Sequence, residues 1–151
     1  MLEQLIFISE RGIKMTRREE REQAFMIIFE KMFTDDTVEE IIDKASEARD
    51  IEVGEYALKI ANKVFLDADT IDASFEKYLK RWSKNRISKV SLSILRLAMY
   101  ELLYETDVPS AAVINEAVEL TKKFSTKEDS AFVNGVLGSF VRDLTNDNVG
   151  D

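Results

Sequence analysis

The chain has 151 residues, 45% of them hydrophobic and 33% charged, with a formal net charge of −8, enough for one domain with a real core and ordinary for a soluble globular protein. It contains no cysteine and no histidine. That excludes disulfides, thiolate metal sites, imidazole bases and Glu-x-x-His metal centres, and sets enzyme functions at a disadvantage. One proline and five glycines leave little turn chemistry for an all-β fold. No catalytic residue, cofactor or metal is expected, and a cytoplasmic location is.

The opening segment, residues 1–14, carries the apolar run Leu5-Ile6-Phe7-Ile8, too short to span a bilayer and without a signal-peptide layout. Met15 opens the periodic pattern, and codons for Glu10-Arg11-Gly12 can be almost entirely purine, like a bacterial ribosome-binding site. Residues 1–14 are therefore expected to be a disordered or mis-called extension, residues 15–145 one helical domain, and residues 146–151 a frayed tail.

Seven helices are predicted. The first, about Arg17 to Phe33, has Phe25, Ile28, Phe29 and Met32 on one stripe. At about 100° per residue, Arg18 and Arg21 continue that stripe, Arg17 borders it, and Glu19, Glu20 and Glu30 lie toward the other side. Such guanidinium groups can fork onto phosphates, or pair with acids at i,i+4 spacing. Asp36-x-x-Glu39 reads as the start of a second helix through Val38, Ile41, Ile42 and Ala45. Tyr56, Ile60, Ala61 and Val64 mark a third, ending near Asp67, and Ile71, Phe75, Tyr78, Leu79 and Trp82 a fourth. The fifth covers Ser88 to Tyr104, with Leu92, Leu95, Met99, Leu102 and Leu103 inside; after Pro109 a sixth runs from Ser110 to Phe124.

Ser125-x-x-Glu128 reads as the capping box of the seventh, about Lys127 to Leu144. Its core stripe is Val133, Val136, Leu137, Phe140 and Leu144, while Ala131, Gly135 and Gly138 form a second stripe of small side chains. Interior glycines each cost a helix about 1 kcal/mol, so this helix is expected to be covered on two sides. Asn134 is expected to bond a neighbouring helix near Asn115-Glu116. Phe132, in the first turn, could pack or stack on a base. The fold class is all-α, a seven-helix bundle of two small subdomains meeting near residues 83–87.

Charge is sorted along the chain. From Lys77 to Arg96 there are seven basic residues and no acidic one. A basic zone on an acidic body suits a phosphate backbone, although solvated ion pairing would explain it too.

Four segments, in order, resemble the transcription antitermination factor NusB family: "TRREEREQAFMIIF" (Thr16–Phe29), "RWSKNRISKVSLSILRLAMYELLY" (Arg81–Tyr104), "DVPSAAVINEAVELTKKFS" (Asp107–Ser125) and "DSAFVNGVLG" (Asp129–Gly138). The resemblance implies a non-catalytic, all-helical partner of NusE, a small-subunit ribosomal protein. Together they would bind the single-stranded boxA RNA of ribosomal leaders, within an RNA polymerase antitermination complex that supports ribosomal RNA synthesis. It assigns RNA contact to Arg17, Arg18 and Arg21 and to Lys127, Asp129, Ser130 and Phe132. Phe29 would face NusE, and Ser91 stands where an acidic residue often does. Glu19 and Glu20 interrupt a first helix that is often more basic in the family. Two alternatives remain: a helical homodimer using the Ala131/Gly135/Gly138 face, and a relative of the N-terminal domain of ribosomal RNA cytosine methyltransferases. The latter enzymes need a Gly-rich loop and a nucleophilic cysteine, and neither is present.

Overall fold

Threonine caps three of the described helices. In the computed structural model, which describes residues 15–49, 52–79 and 86–149, the first helix, α1 (Arg17–Lys31), opens on a reciprocal capping box. The Glu19 N–H donates to Thr16 Oγ1, and the Thr16 N–H to Glu19 Oε2, each at 3.1 Å. Thr37 and Glu40 make the same exchange, at 3.1 Å each way, ahead of α2 (Val38–Arg49). The box therefore lies one residue beyond the Asp36/Glu39 pair expected. The remaining helices are α3 (Glu55–Leu66), α4 (Ala68–Glu76), α5 (Lys89–Tyr104), α6 (Ser110–Phe124) and α7 (Lys127–Val149), with a 3-10 turn at Lys77–Leu79. Thr126, not Ser125, caps α7: its Oγ1 accepts the Asp129 N–H at 3.0 Å. Helix α7 continues beyond Leu144, whose side chain is exposed instead of completing the core stripe. The expected extension over residues 1–14 lies outside the described residues, as do Lys80, Arg81, Trp82 and Lys84 of the basic zone.

The chain forms two compact units that divide between Leu66 and Asp67, not near residues 83–87. Asp67, at φ −108° and ψ 27°, breaks the helical run between α3 and α4.

In the first unit α1 packs on α2 and α3. Ile27, Val38, Ile41 and Ala61 form a buried cluster, with Ile42 and Val53 against it. Every residue of α1 from Arg21 to Ile28 is buried. Completely burying a side chain such as Phe25 contributes about 1.5–3 kcal/mol.

Two polar residues of α1 fix the turn into α3. Gln23 donates from Nε2 to the Glu52 carbonyl at 3.2 Å and accepts the Gly54 N–H at 2.9 Å. Glu20 Oε1 accepts the Tyr56 N–H at 2.9 Å, capping α3. This carboxylate passes so near Gly54 that a Cβ there would fall 2.0 Å from Glu20 Oε1. Glycine at position 54 answers to that close approach.

In the second unit α5 packs against α4, α6 and α7. Its residues 91–95 and 97–101 are buried, so α5 is the core helix. Arg96, the interruption, forks onto Asp72 of α4: Nε to Oδ1 and Nη2 to Oδ2, both at 2.8 Å. Tyr78 ties the 3-10 turn to α7, its hydroxyl donating to Asp143 Oδ2 at 2.6 Å and its ring meeting Phe140 edge-on. Among the described residues no helix is long and apolar enough to cross a membrane.

Candidate nucleic-acid interface

The first-helix arginines occupy different environments. Arg17 is exposed, with its guanidinium 3.7 Å from the Tyr56 ring centroid and 3.6 Å from Glu20 Oε2. The ring and the carboxylate hold a planar cation at the open N-terminal end of α1. Arg18 is exposed as well. Arg21, four residues before Phe25, shares the buried stripe and retains only 9% exposure. The stripe that was expected to turn basic as it left the core is still inside the core at this position. Glu19 and Glu20, which look like interruptions of a basic helix, are the cap of α1 and the cap of α3.

At the start of α7 the expected residues divide the same way. Lys127 is exposed and Phe132 half-buried. Asp129 accepts from the Ser125 hydroxyl and, at 3.3 Å, from the Ser88 hydroxyl. It links the start of α7 to Ser88, the cap of α5, whose Oγ accepts the Ser91 N–H at 3.0 Å. Ser130 is buried and its hydroxyl donates back to the Lys127 carbonyl at 2.7 Å. The hydroxyl thus bonds the helix backbone, while the residue lines a shallow depression with Ala111, Asn115 and Asn134.

The two partner-facing expectations separate too. Phe29 is half-buried, stacked on Phe25 at 6.1 Å and edge-on to Phe33 at 4.9 Å, with Phe33 exposed beyond it. Ser91 is completely buried in α5, and its Oγ has no hydrogen-bond partner among the described residues. It cannot present a contact from that position. Phe29 belongs to the first unit and Ser91 to the second.

Sequence reasoning did not anticipate the openings beside Phe132. A depression of about 300 Å³ is lined by Arg86, Ile87, Ser88, Glu128, Asp129 and Phe132. A second, of about 350 Å³, shares Phe132 and Ala131 and includes Tyr78, Gly135 and Arg142. Asn134 is exposed, and among the described residues it bonds no neighbouring helix and nothing lies within 4 Å of a Cβ built on Gly135. Among the described residues nothing covers the small-residue side of α7 at Gly135, where a second cover was expected.

Chemically the ensemble offers guanidinium and ammonium groups, an accessible aromatic ring and satisfied carboxylates. No group of three or more acidic, histidine or cysteine residues able to hold a metal ion occurs among the described residues.

Comparison with known proteins gives this arrangement a family. The chain is 42% identical over 130 residues to the transcription antitermination protein NusB of Acetivibrio thermocellus, covering 85% of this chain and 90% of that protein. Its fold matches a crystal form of T. maritima NusB with a TM-score of 0.77 at 35% identity, over 86% of this chain and 93% of that one. A crystal structure of the antitermination factors NusB and NusE in complex with dsRNA matches with a TM-score of 0.73 at 26% identity, over 85% of this chain and 99% of that one. The NusB family model itself matches residues 18–142, and on that span the chain belongs to the NusB family.

Proposed function

We propose that this chain is a non-catalytic adaptor of transcription antitermination, binding boxA RNA of nascent ribosomal leaders together with NusE and so supporting ribosomal RNA synthesis in the cytoplasm. The observation that carries the proposal is the exposed Lys127 and half-buried Phe132 on the first turns of α7, within the "DSAFVNGVLG" segment. A cation for phosphate and a ring for an unpaired base are what single-stranded RNA recognition needs. The match to a NusB–NusE–RNA complex supports the partner assignment.

Arg17 and Arg18 add positive charge from the first unit. Asp129 and Ser130 act in this account by bonding the start of α7, and Arg21 lies buried in α1. Phe29, with Phe33 beside it, is the aromatic group offered to NusE. The net charge of −8 repels RNA at long range, so binding by the chain alone is expected to be weak and NusE to supply missing positive surface.

A mobility-shift titration of boxA RNA and a scrambled RNA, with and without NusE, tests this. The expected result is a NusE-dependent shift selective for boxA. Equal binding of both RNAs, or no effect of NusE, would overturn it.

A further inference from the structure

We infer that the RNA site extends past Phe132 into the groove over Gly135, where one unpaired base is seated on the α7 backbone and a neighbouring phosphate is held by Arg142. This rests on the RNA-binding function proposed above.

The groove leaves space directly over the α7 backbone. Gly135 forms part of its floor, and the Cβ of any other residue would project into it with nothing closer than 4 Å among the described residues. Phe132 lines it as well and is half-buried. Its volume of about 350 Å³ is within the range of small-ligand sites.

The electrostatics favour RNA over a protein segment. Arg142 is exposed, its Nη2 donates to the neutral Ser139 hydroxyl at 3.1 Å, and among the described residues no carboxylate pairs with it. Its Nη1 lies 3.4 Å from where a Gly138 Cβ would be, so the second glycine leaves the guanidinium room to lie along the helix. The nearby carboxylate, Asp143, already accepts from Tyr78 and lies 3.9 Å from Lys77 Nζ, and no acidic residue is among the described groove-lining residues.

On the other side of Phe132, Arg86 lines the neighbouring depression and is likewise exposed and without a carboxylate partner among the described residues. Two guanidinium groups without a carboxylate partner among the described residues thus flank one aromatic ring along two hollows, the one beside Arg86 being lined by Glu128 and Asp129 as well. A strand crossing Phe132 would meet a cation on each side. Arg17 and Arg96, in contrast, are engaged by Glu20 and Asp72.

The test uses the full chain with NusE and a fluorescein-labelled single-stranded boxA leader RNA, titrated at several salt concentrations. Arg142→Ala should lower the slope of log affinity against log salt by about 0.7, the loss of one phosphate contact on a single strand. Gly135→Leu should fill the groove and weaken binding roughly ten-fold, as loss of one stacked base does, without changing the slope. Because leucine favours helix where glycine opposes it, the thermal midpoint should not fall.

If both variants bind within two-fold of the parent while Phe132→Ala still weakens binding, the groove is outside the site and this inference fails while the RNA function stands. If the parent itself does not bind, or Phe132→Ala changes nothing, the underlying function fails and takes the groove with it. A parent that is dimeric by sedimentation and made monomeric by Gly135→Leu, with RNA binding intact, would give the groove to a second copy of this chain and overturn the inference.

Discussion

Replacing Arg96 by alanine removes both arms of its fork on Asp72. The Asp72 side chain is only 6% exposed and that of Arg96 21%, so the two single variants should not be equivalent. Arg96→Ala leaves a carboxylate inside the α4–α5 contact without its guanidinium, and breaking a buried pair this way costs about 3–5 kcal/mol. Asp72→Ala leaves a cation that can swing its head into water, for a smaller loss of about 2 kcal/mol. Asp72→Leu combined with Arg96→Met should recover most of the stability, because an apolar pair of similar volume avoids desolvating two charges. For a chain of this length, 3 kcal/mol corresponds to a fall of roughly 6–12 °C in thermal midpoint. Urea unfolding followed by circular dichroism measures all four proteins of the cycle, read as midpoints on transitions of equal slope. A loss below about 1 kcal/mol for Arg96→Ala, or a larger loss for Asp72→Ala than for Arg96→Ala, would refute the burial argument.

The turn into α3 gives a second expectation. Gly54→Ala places a methyl group 2.0 Å from Glu20 Oε1, which must leave the Tyr56 N–H, so stability should fall by about 0.5–2 kcal/mol, the usual value of a helix cap. Glu20→Ala added to Gly54→Ala should cost little more, since the cap is already lost, and urea midpoints of the double variant check this. A third concerns alkaline pH. Burial, then the hydrogen bond to Glu105 at 2.7 Å, raises the Tyr100 pKa above its ordinary value. A raised folded pKa means stability that is complete below the unfolded tyrosine value near pH 10 and is lost as pH rises beyond it. Tyr100→Phe should therefore lose less stability than the parent between about pH 8 and 10.5, measured as urea midpoints at each pH.

Helix order was legible because the apolar spacing is regular: the stripes through Phe25, Ile60, Leu95, Ala117 and Val133 all lead into buried positions. The capping residues were misplaced by one position, at Thr37 and Thr126, because two overlapping cap patterns were available and threonine took both, whereas the start of α7 at Lys127 was as expected. The division after Leu66 was not legible, since Asp67 is a single residue inside an otherwise helical pattern.

Site residues were harder, because exposure depends on packing that periodicity does not specify. Arg21 and Ser130 share surfaces with apolar neighbours and are buried, and Ser91 is enclosed within α5. Basic composition likewise concealed a division of labour: Arg96 is committed to Asp72, whereas Arg86 and Arg142 have no carboxylate among the described residues. The family resemblance identified the first half of α7 correctly as part of a NusB chain, but carried no information about the groove beside it. That groove depends on glycine at position 135, which in sequence looked like a request for a second covering helix.

The central claim is that cationic and aromatic side chains at the start of α7 hold a single RNA strand. Its most direct measurement is the boxA affinity of the NusE complex carrying Lys127→Ala and Phe132→Ala, singly and together, as a function of salt. The account predicts a slope lower by about 0.7 for Lys127→Ala, an unchanged slope with roughly ten-fold weaker binding for Phe132→Ala, and both effects in the double variant. Parental affinity and slope in all three, with the proteins folded, would contradict it.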